Sequence, residues 1–101
     1  MRRLSITAVA VLQAVANGFA YGFDVIDATG LPSGTVYPAL SRLERDGFVR
    51  SAWEDESVAH AGGRPARRYY RVTGPGARAL AEAREYYRAL LPAGRAARAR
   101  G

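Results

Sequence analysis

The sequence predicts a mainly α fold with a small two-stranded β-wing: a winged helix-turn-helix with an added C-terminal dimerisation helix. Three observations predict it. A short apolar segment breaks at Gly30-Leu31-Pro32 and a second amphipathic helix follows at once. Two β-rich runs, residues 48–53 (F-V-R-S-A-W) and 67–73 (R-R-Y-Y-R-V-T), flank a loop containing Gly62-Gly63-Arg64-Pro65. A last helix carries an apolar stripe that one small domain would leave wet. The expected division is residues 4–73 as the winged-helix domain, 74–91 as the C-terminal dimerisation helix and 92–101 as a flexible basic tail.

The first helix is apolar on nearly two sides. Val9, Leu12, Ala16 and Phe19 form one stripe and Leu4, Ala8, Val11 and Val15 another. Met1-Arg2-Arg3, an apolar run and Ala14-Val15-Ala16 imitate a signal peptide, yet removing this segment would strip the domain of its first core helix. With Gln13 in its middle, it is too short to span a bilayer. Two stripes suggest two partners, one being the domain's own core and the other a second subunit that meets Val11 and Val15.

Phe23, Val25 and Ile26 start the helix-turn-helix, and Gly30 with Pro32 supplies the turn. Ser33 is read as the N-cap of the next helix, in which Val36, Leu40 and Leu43 recur at i, i+4, i+7 and point inward. The opposite side carries Gly34, Pro38, Ser41 and Arg45, with Thr35, Tyr37 and Arg42 on its flanks. That face is thin and rich in donors, as a helix entering a groove of DNA requires. Asp46-Gly47 ends the helix. The two β-rich runs then pair as a wing, with Trp53 packing at the end of the first strand and His60 in the loop.

Thr73-Gly74-Pro75 caps and starts the final helix, expected to run at least to Leu91 before Pro92. Leu80, Ala83, Tyr87 and Leu90 recur at i, i+3, i+7, i+10, the spacing of a packing seam.

The chain resembles the PadR family of bacterial transcriptional regulators. Gly34, Thr35, Tyr37, Pro38, Leu40, Arg42, Leu43, Glu44 and Gly47 meet its recognition-helix pattern. Gly63, Arg64, Pro65, Arg68, Tyr69, Tyr70 and Thr73 meet its wing return, and Tyr21-Gly22, Gly76 and Leu80 fit further positions. The acidic Glu54-Asp55-Glu56 and the longer, apolar Val58-Ala59-His60-Ala61 depart from the expected short wing. The resemblance implies a cytoplasmic homodimer on double-stranded DNA, a repressor at a pseudo-palindromic operator. Candidate DNA-binding residues are Ser33, Thr35, Tyr37, Ser41, Arg42 and Arg45 on the helix and Arg64, Arg67 and Arg68 on the wing. Candidate dimerisation residues are Val11, Val15, Leu80, Ala83, Tyr87 and Leu90. Some relatives hold small aromatic or hydrophobic effectors between subunits. Phe19, Tyr21, Tyr86 and Tyr87 are the candidate lining here, with interface packing as the plainer role of the same aromatics.

Charge agrees with a polyanion partner. All fifteen basic residues are arginine and the net charge is +6. Residues 1–56 are net −2, residues 57–81 hold five arginines and no acid, and residues 82–101 are net +3. With no cysteine and one histidine, no nucleophile–base pair, phosphate-cradling glycine loop or metal-spaced ligand set is present in the sequence. No catalytic residue, metal or cofactor is therefore expected. The competing reading is a winged-helix protein-interaction module, which would have no need of a donor-rich helix face beside an arginine wing.

Overall fold

The computed structural model describes residues 3–91. The basic tail expected at 92–101 lies outside them. In chain order the elements are α1 (Ile6–Ala16), α2 (Gly22–Thr29), α3 (Ser33–Arg45), β1 (Val49–Trp53), α4 (Glu56–Ala61), β2 (Arg68–Val72) and α5 (Gly74–Ala89).

Helix α1 is the centre of the domain. Val9, Val11, Leu12, Ala14 and Val15 are all buried, so the helix is covered round most of its girth. The cover comes from the chain itself, because α2, α3, α5 and β2 all pack against it. This corrects the expectation for its second stripe: Val11 (0 % exposed) and Val15 (6 %) sit in the subunit's own core instead of facing a second copy. Leu80 and Ala83 of α5 are likewise interior, at 7 % and 4 %. Of the expected seam, Tyr87 is half-buried and Leu90 is outside, at 56 % exposed. Phe19 lies beyond the end of α1 and is exposed.

Turn chemistry places α2 against α3. Gly30 takes the left-handed conformation at φ 73°, where a side chain would be strained. The Thr29 hydroxyl donates to the Val25 carbonyl (2.7 Å) and accepts from the Leu31 amide (3.2 Å), which ties the turn together. Pro32, not Ser33, occupies the N-cap of α3 and has no capping side chain; Ser33 is the first helical residue. A Cβ at Gly22 would run into the Tyr37 ring, so this glycine lets α3 lie close on α2.

Strands β1 and β2 pair antiparallel, with Val49 opposite Val72, Ser51 opposite Tyr70 and Trp53 opposite Arg68. A bridge from Tyr21 to Tyr69, with the Tyr70 amide donating to the Ala20 carbonyl (2.8 Å), pairs the other edge of β2. The root of α5 is fastened to the turn after α3. Thr73 Oγ1 caps α5 by accepting from the Gly76 amide (3.0 Å) and donates to the Gly47 carbonyl (2.6 Å), while the Thr73 amide donates to the Phe48 carbonyl (3.0 Å). A Cβ at Gly76 would strike that same Phe48 carbonyl. Helix α5 stops at Ala89, short of the expected Leu91; the residue before a proline is disfavoured in the α conformation, and Pro92 follows.

Candidate nucleic-acid interface

Helix α3 separates its two sides cleanly. Val36, Ala39, Leu40 and Leu43 are buried, whereas Ser33, Gly34, Tyr37, Pro38, Ser41, Arg42 and Arg45 are exposed and Thr35 is half-buried. The exposed side carries small residues, the three hydroxyls of Ser33, Tyr37 and Ser41, and two arginines. Pro38 removes the amide that would pair with the Gly34 carbonyl, and does so on the outward face where water or a ligand can reach that oxygen. Arg42 and Arg45 also line a groove of about 560 Å³ between the C-terminal end of α3 and the segment leading into α1.

Glu44, on the flank of α3, joins the helix to the wing. Its carboxylate accepts from Ser51 Oγ of β1 (2.5 Å) and from Arg68 Nη2 of β2 (3.0 Å), while Arg68 Nε donates to Ser51 Oγ (3.0 Å). Three side chains from three elements therefore close one network. The Arg68 guanidinium also stands 5.9 Å from the ring centres of Trp53 and Tyr70.

The wing loop is organised by a second acid. Arg64 binds Glu54 through both guanidinium arms, at 2.5 and 2.8 Å, and Glu54 also accepts from the Arg67 amide (3.3 Å). The Arg64 hydrogen bond is the main cause that lowers the Glu54 carboxyl to about 2; desolvation opposes it, and the Arg67 amide and both positive charges add to the lowering. Asp55 caps α4 by accepting from the Ser57 amide (2.7 Å), and Ala59 is the residue that α4 buries. The tip that departs from a short wing is thus a six-residue helix, and His60 lies in it rather than in a loop. Trp53, expected to be packed, is 66 % exposed.

A family model described as "Transcriptional regulator PadR-like family" matches residues 11–82, most of the chain. The chain belongs to the PadR-like family of transcriptional regulators. Among solved structures it is similar to a PadR family transcription regulator from hypervirulent Clostridium difficile R20291, at 21 % identity over 85 % of this chain and 91 % of that one, TM-score 0.73. A PadR-like transcription factor from Bacteroides fragilis is 26 % identical over 82 % of this chain and 81 % of that one, TM-score 0.69. A third, BpsR of Bordetella bronchiseptica, whose structure concerns regulation of its DNA binding by 6-hydroxynicotinic acid, is 22 % identical over 78 % of this chain and 52 % of that one, TM-score 0.61. No curated protein matches the chain.

As a PadR-like regulator the protein binds DNA and is not an enzyme. The structure sorts the sequence-derived candidates. On α3, Ser33, Tyr37, Ser41, Arg42 and Arg45 are exposed on the outward side or its flanks, and Thr35 is half-covered. On the wing, the guanidinium groups of Arg64 and Arg68 are engaged by Glu54 and Glu44, whereas that of Arg67 makes no ion pair within 4.0 Å among the described residues. Arg67 instead stands 4.9 Å over the Tyr21 ring. The four aromatics proposed to line one pocket fall into two clusters within the subunit. Tyr21 meets Tyr69 edge-on (6.3 Å), near Phe19, after the C-terminal end of α1; Tyr86 meets Tyr87 edge-on (5.1 Å), and the Tyr87 hydroxyl donates to the Leu4 carbonyl (2.7 Å) before its N-terminal end. The eleven residues of α1 separate them by about 16 Å. Sequence reasoning missed Arg50 and Arg71, which the strand register sets directly opposite each other.

Proposed function

We propose that the protein is a cytoplasmic repressor that binds a pseudo-palindromic operator as a homodimer, placing two α3 helices in successive major grooves about 34 Å apart. One observation carries this reading: the outward side of α3 is bare and donor-rich, and Glu44 ties that helix to an arginine-bearing ribbon. Arg45 and Arg42 supply guanine or phosphate contacts, and Ser33, Thr35, Tyr37 and Ser41 contact phosphate oxygens. No described helix is long and apolar enough to cross a membrane.

Dimerisation through the free end of α5 is supported by the exposure of Leu90 (56 %) and Leu91 (71 %) next to the half-buried Tyr87. Release by a small aromatic effector is supported by a groove of about 240 Å³ lined by Arg3, Leu4, Phe48 and Tyr86, with Arg3 stacked 3.5 Å over the Tyr86 ring. Such a volume is below the usual range of about 300–1,000 Å³ for drug-sized ligands, so it suits a single-ring compound.

Titration of labelled duplexes at several salt concentrations tests the central reading. If a dimer neutralises roughly 6–10 phosphates, affinity falls by about 10³–10⁵ between 50 and 200 mM salt. A salt-insensitive affinity, or one equal for every sequence, removes it. Arg45→Ala is expected to cost about 1–3 kcal/mol of binding and to relax preference at one operator position.

A further inference from the structure

Two grooves of the domain share a wall. The larger, about 560 Å³, lies between the C-terminal end of α3 and the segment leading into α1; the smaller, about 240 Å³, lies between that segment and α5. Arg3, Leu4 and Phe48 line both, so one ligand can lie across them and touch the recognition helix at one end and α5 at the other.

The two ends differ in chemistry. Ala8, Ala39, Leu43 and Phe48 give the larger groove an apolar floor, while the exposed Arg3, Arg42 and Arg45 stand around it with Asp46 as the one carboxylate of its lining. Three arginines against one aspartate leave two positive charges, and none of the three makes an ion pair within 4.0 Å among the described residues. In the smaller groove, Ala79 and Ala83 leave room beside the half-buried Tyr86, and the Arg3 guanidinium lies 3.5 Å over that ring. A single aromatic ring suits this end by size and by its flat wall. Glu82, also in its lining, repels an anion there. The charge of a ring-bearing anion is thereby directed toward α3.

Two positive charges call for a dianion. A phosphate monoester carries close to two negative charges near neutral pH and offers three acceptor oxygens to guanidinium forks, whereas a carboxylate supplies one charge. A DNA strand fits the groove poorly, since its phosphodiesters carry one charge each and its backbone has nothing to place on the apolar floor.

We propose that the joined grooves form a site for a single-ring aromatic phosphomonoester, with the ring against Tyr86 and Phe48 and the phosphate among Arg3, Arg42 and Arg45. The proposal rests on the effector reading above, and gives that effector a chemical class and a route to the DNA. Arg42 and Arg45 border the groove and also belong to the exposed side of α3, so a phosphate that holds them withdraws two guanidinium groups from the operator. By linkage, bound DNA weakens the phosphomonoester by the same factor.

Phenyl phosphate is the minimal probe, titrated into the full chain at about pH 8, above the second phosphate pKa of about 6. Amide and aromatic NMR shifts report the site, with benzoate and inorganic phosphate as comparisons. Saturable binding at about 1 mM or tighter is expected, with shifts at Leu4, Phe48, Tyr86 and Arg42, and each comparison compound should bind about tenfold more weakly. Saturating probe should lower duplex affinity at least about fivefold relative to sodium chloride of equal ionic strength. Ala79→Leu, which fills the ring end, and Arg3→Gln, which removes one charge, should each weaken the probe about tenfold. Both should keep the wild-type melting temperature and the wild-type duplex affinity without probe, because neither residue lies on α3. The assignment is overturned by absence of shifts at these residues, by inorganic phosphate binding as tightly as the probe (an adventitious ion only), by variants that bind it undiminished, or by a duplex affinity that the probe leaves unchanged. A wild type that takes the probe at these residues yet shows no sequence preference among duplexes supports the site and removes the operator reading instead.

Discussion

The two faces of the β1–β2 ribbon are built from the same short repeat. Residues 67–72 read R-R-Y-Y-R-V, so each face receives an arginine and then a tyrosine, and the faces nevertheless end in opposite states. Inward, Tyr70 is buried and Arg68 is held by Glu44; outward, Tyr69 is partly exposed and Arg67 and Arg71 make no ion pair within 4.0 Å among the described residues. Identical residue types one position apart therefore serve packing on one side and charge display on the other. What differs is the neighbour the fold provides, in this case α3.

The sharpest way to break that contrast is to truncate the tyrosines in turn. Tyr70→Ala opens a cavity in the core and is expected to destabilise folding by about 3–5 kcal/mol, whereas Tyr69→Ala stays within about 1 kcal/mol; denaturant melts of the two decide it. Equal losses would mean that the faces are not distinct. The arginines come next. Arg68→Met is expected to lower stability by about 0.2–1 kcal/mol, the range for an ion pair as exposed as this one, and to leave the salt slope of DNA binding unchanged, whereas Arg71→Met leaves stability unchanged and flattens the slope.

The smallest effect is acid sensitivity of the tip. Glu54 titrates in the folded state at about 2 against an ordinary 4.5, so the clamp contributes fully above the unfolded value and is lost as pH falls between about 4.5 and 2. Amide exchange of α4, taken relative to the intrinsic rate at each pH, should accelerate through that window in wild type. In Glu54→Gln it should already be faster at neutral pH, and the acid step that remains should be that of the Asp55 cap, whose carboxyl the Ser57 hydroxyl and amide also hold below its ordinary value.

The same contrast explains what could be read in advance. The helix-turn-helix was legible because its signals are local: a 3.6-residue apolar period in α3, the left-handed Gly30, and the Thr73 cap all lie within a few residues of what they determine. The engagement of Arg64 and Arg68 was not, since their acids stand 10 and 24 residues away in sequence and nothing local announces them. Helix α4 escaped notice because six residues with one buried alanine carry no readable period; tertiary packing and the Asp55 cap hold it. Val11 and Val15 were assigned to a partner because a helix apolar on two sides looks unfinished, and a pattern of apolar residues cannot say whether the second cover comes from another copy or from α5 and β2 of the same chain. Ser33 shows the usual one-residue slip at a helix start.

The fastening of Thr73 and Gly76 to the Gly47–Phe48 turn has a mechanical meaning. Helix α5, with 16 residues, is an arm about 24 Å long whose root is the turn that ends α3. A swing of about 10° carries its far tip through roughly 4 Å at that length. The Phe48 carbonyl fills the space beside Gly76, so the root of α5 sits flush on that turn, and Leu80 and Ala83 hold the helix against the core. A force on the tip of α5 is therefore passed along a packed helix to the turn where α3 ends.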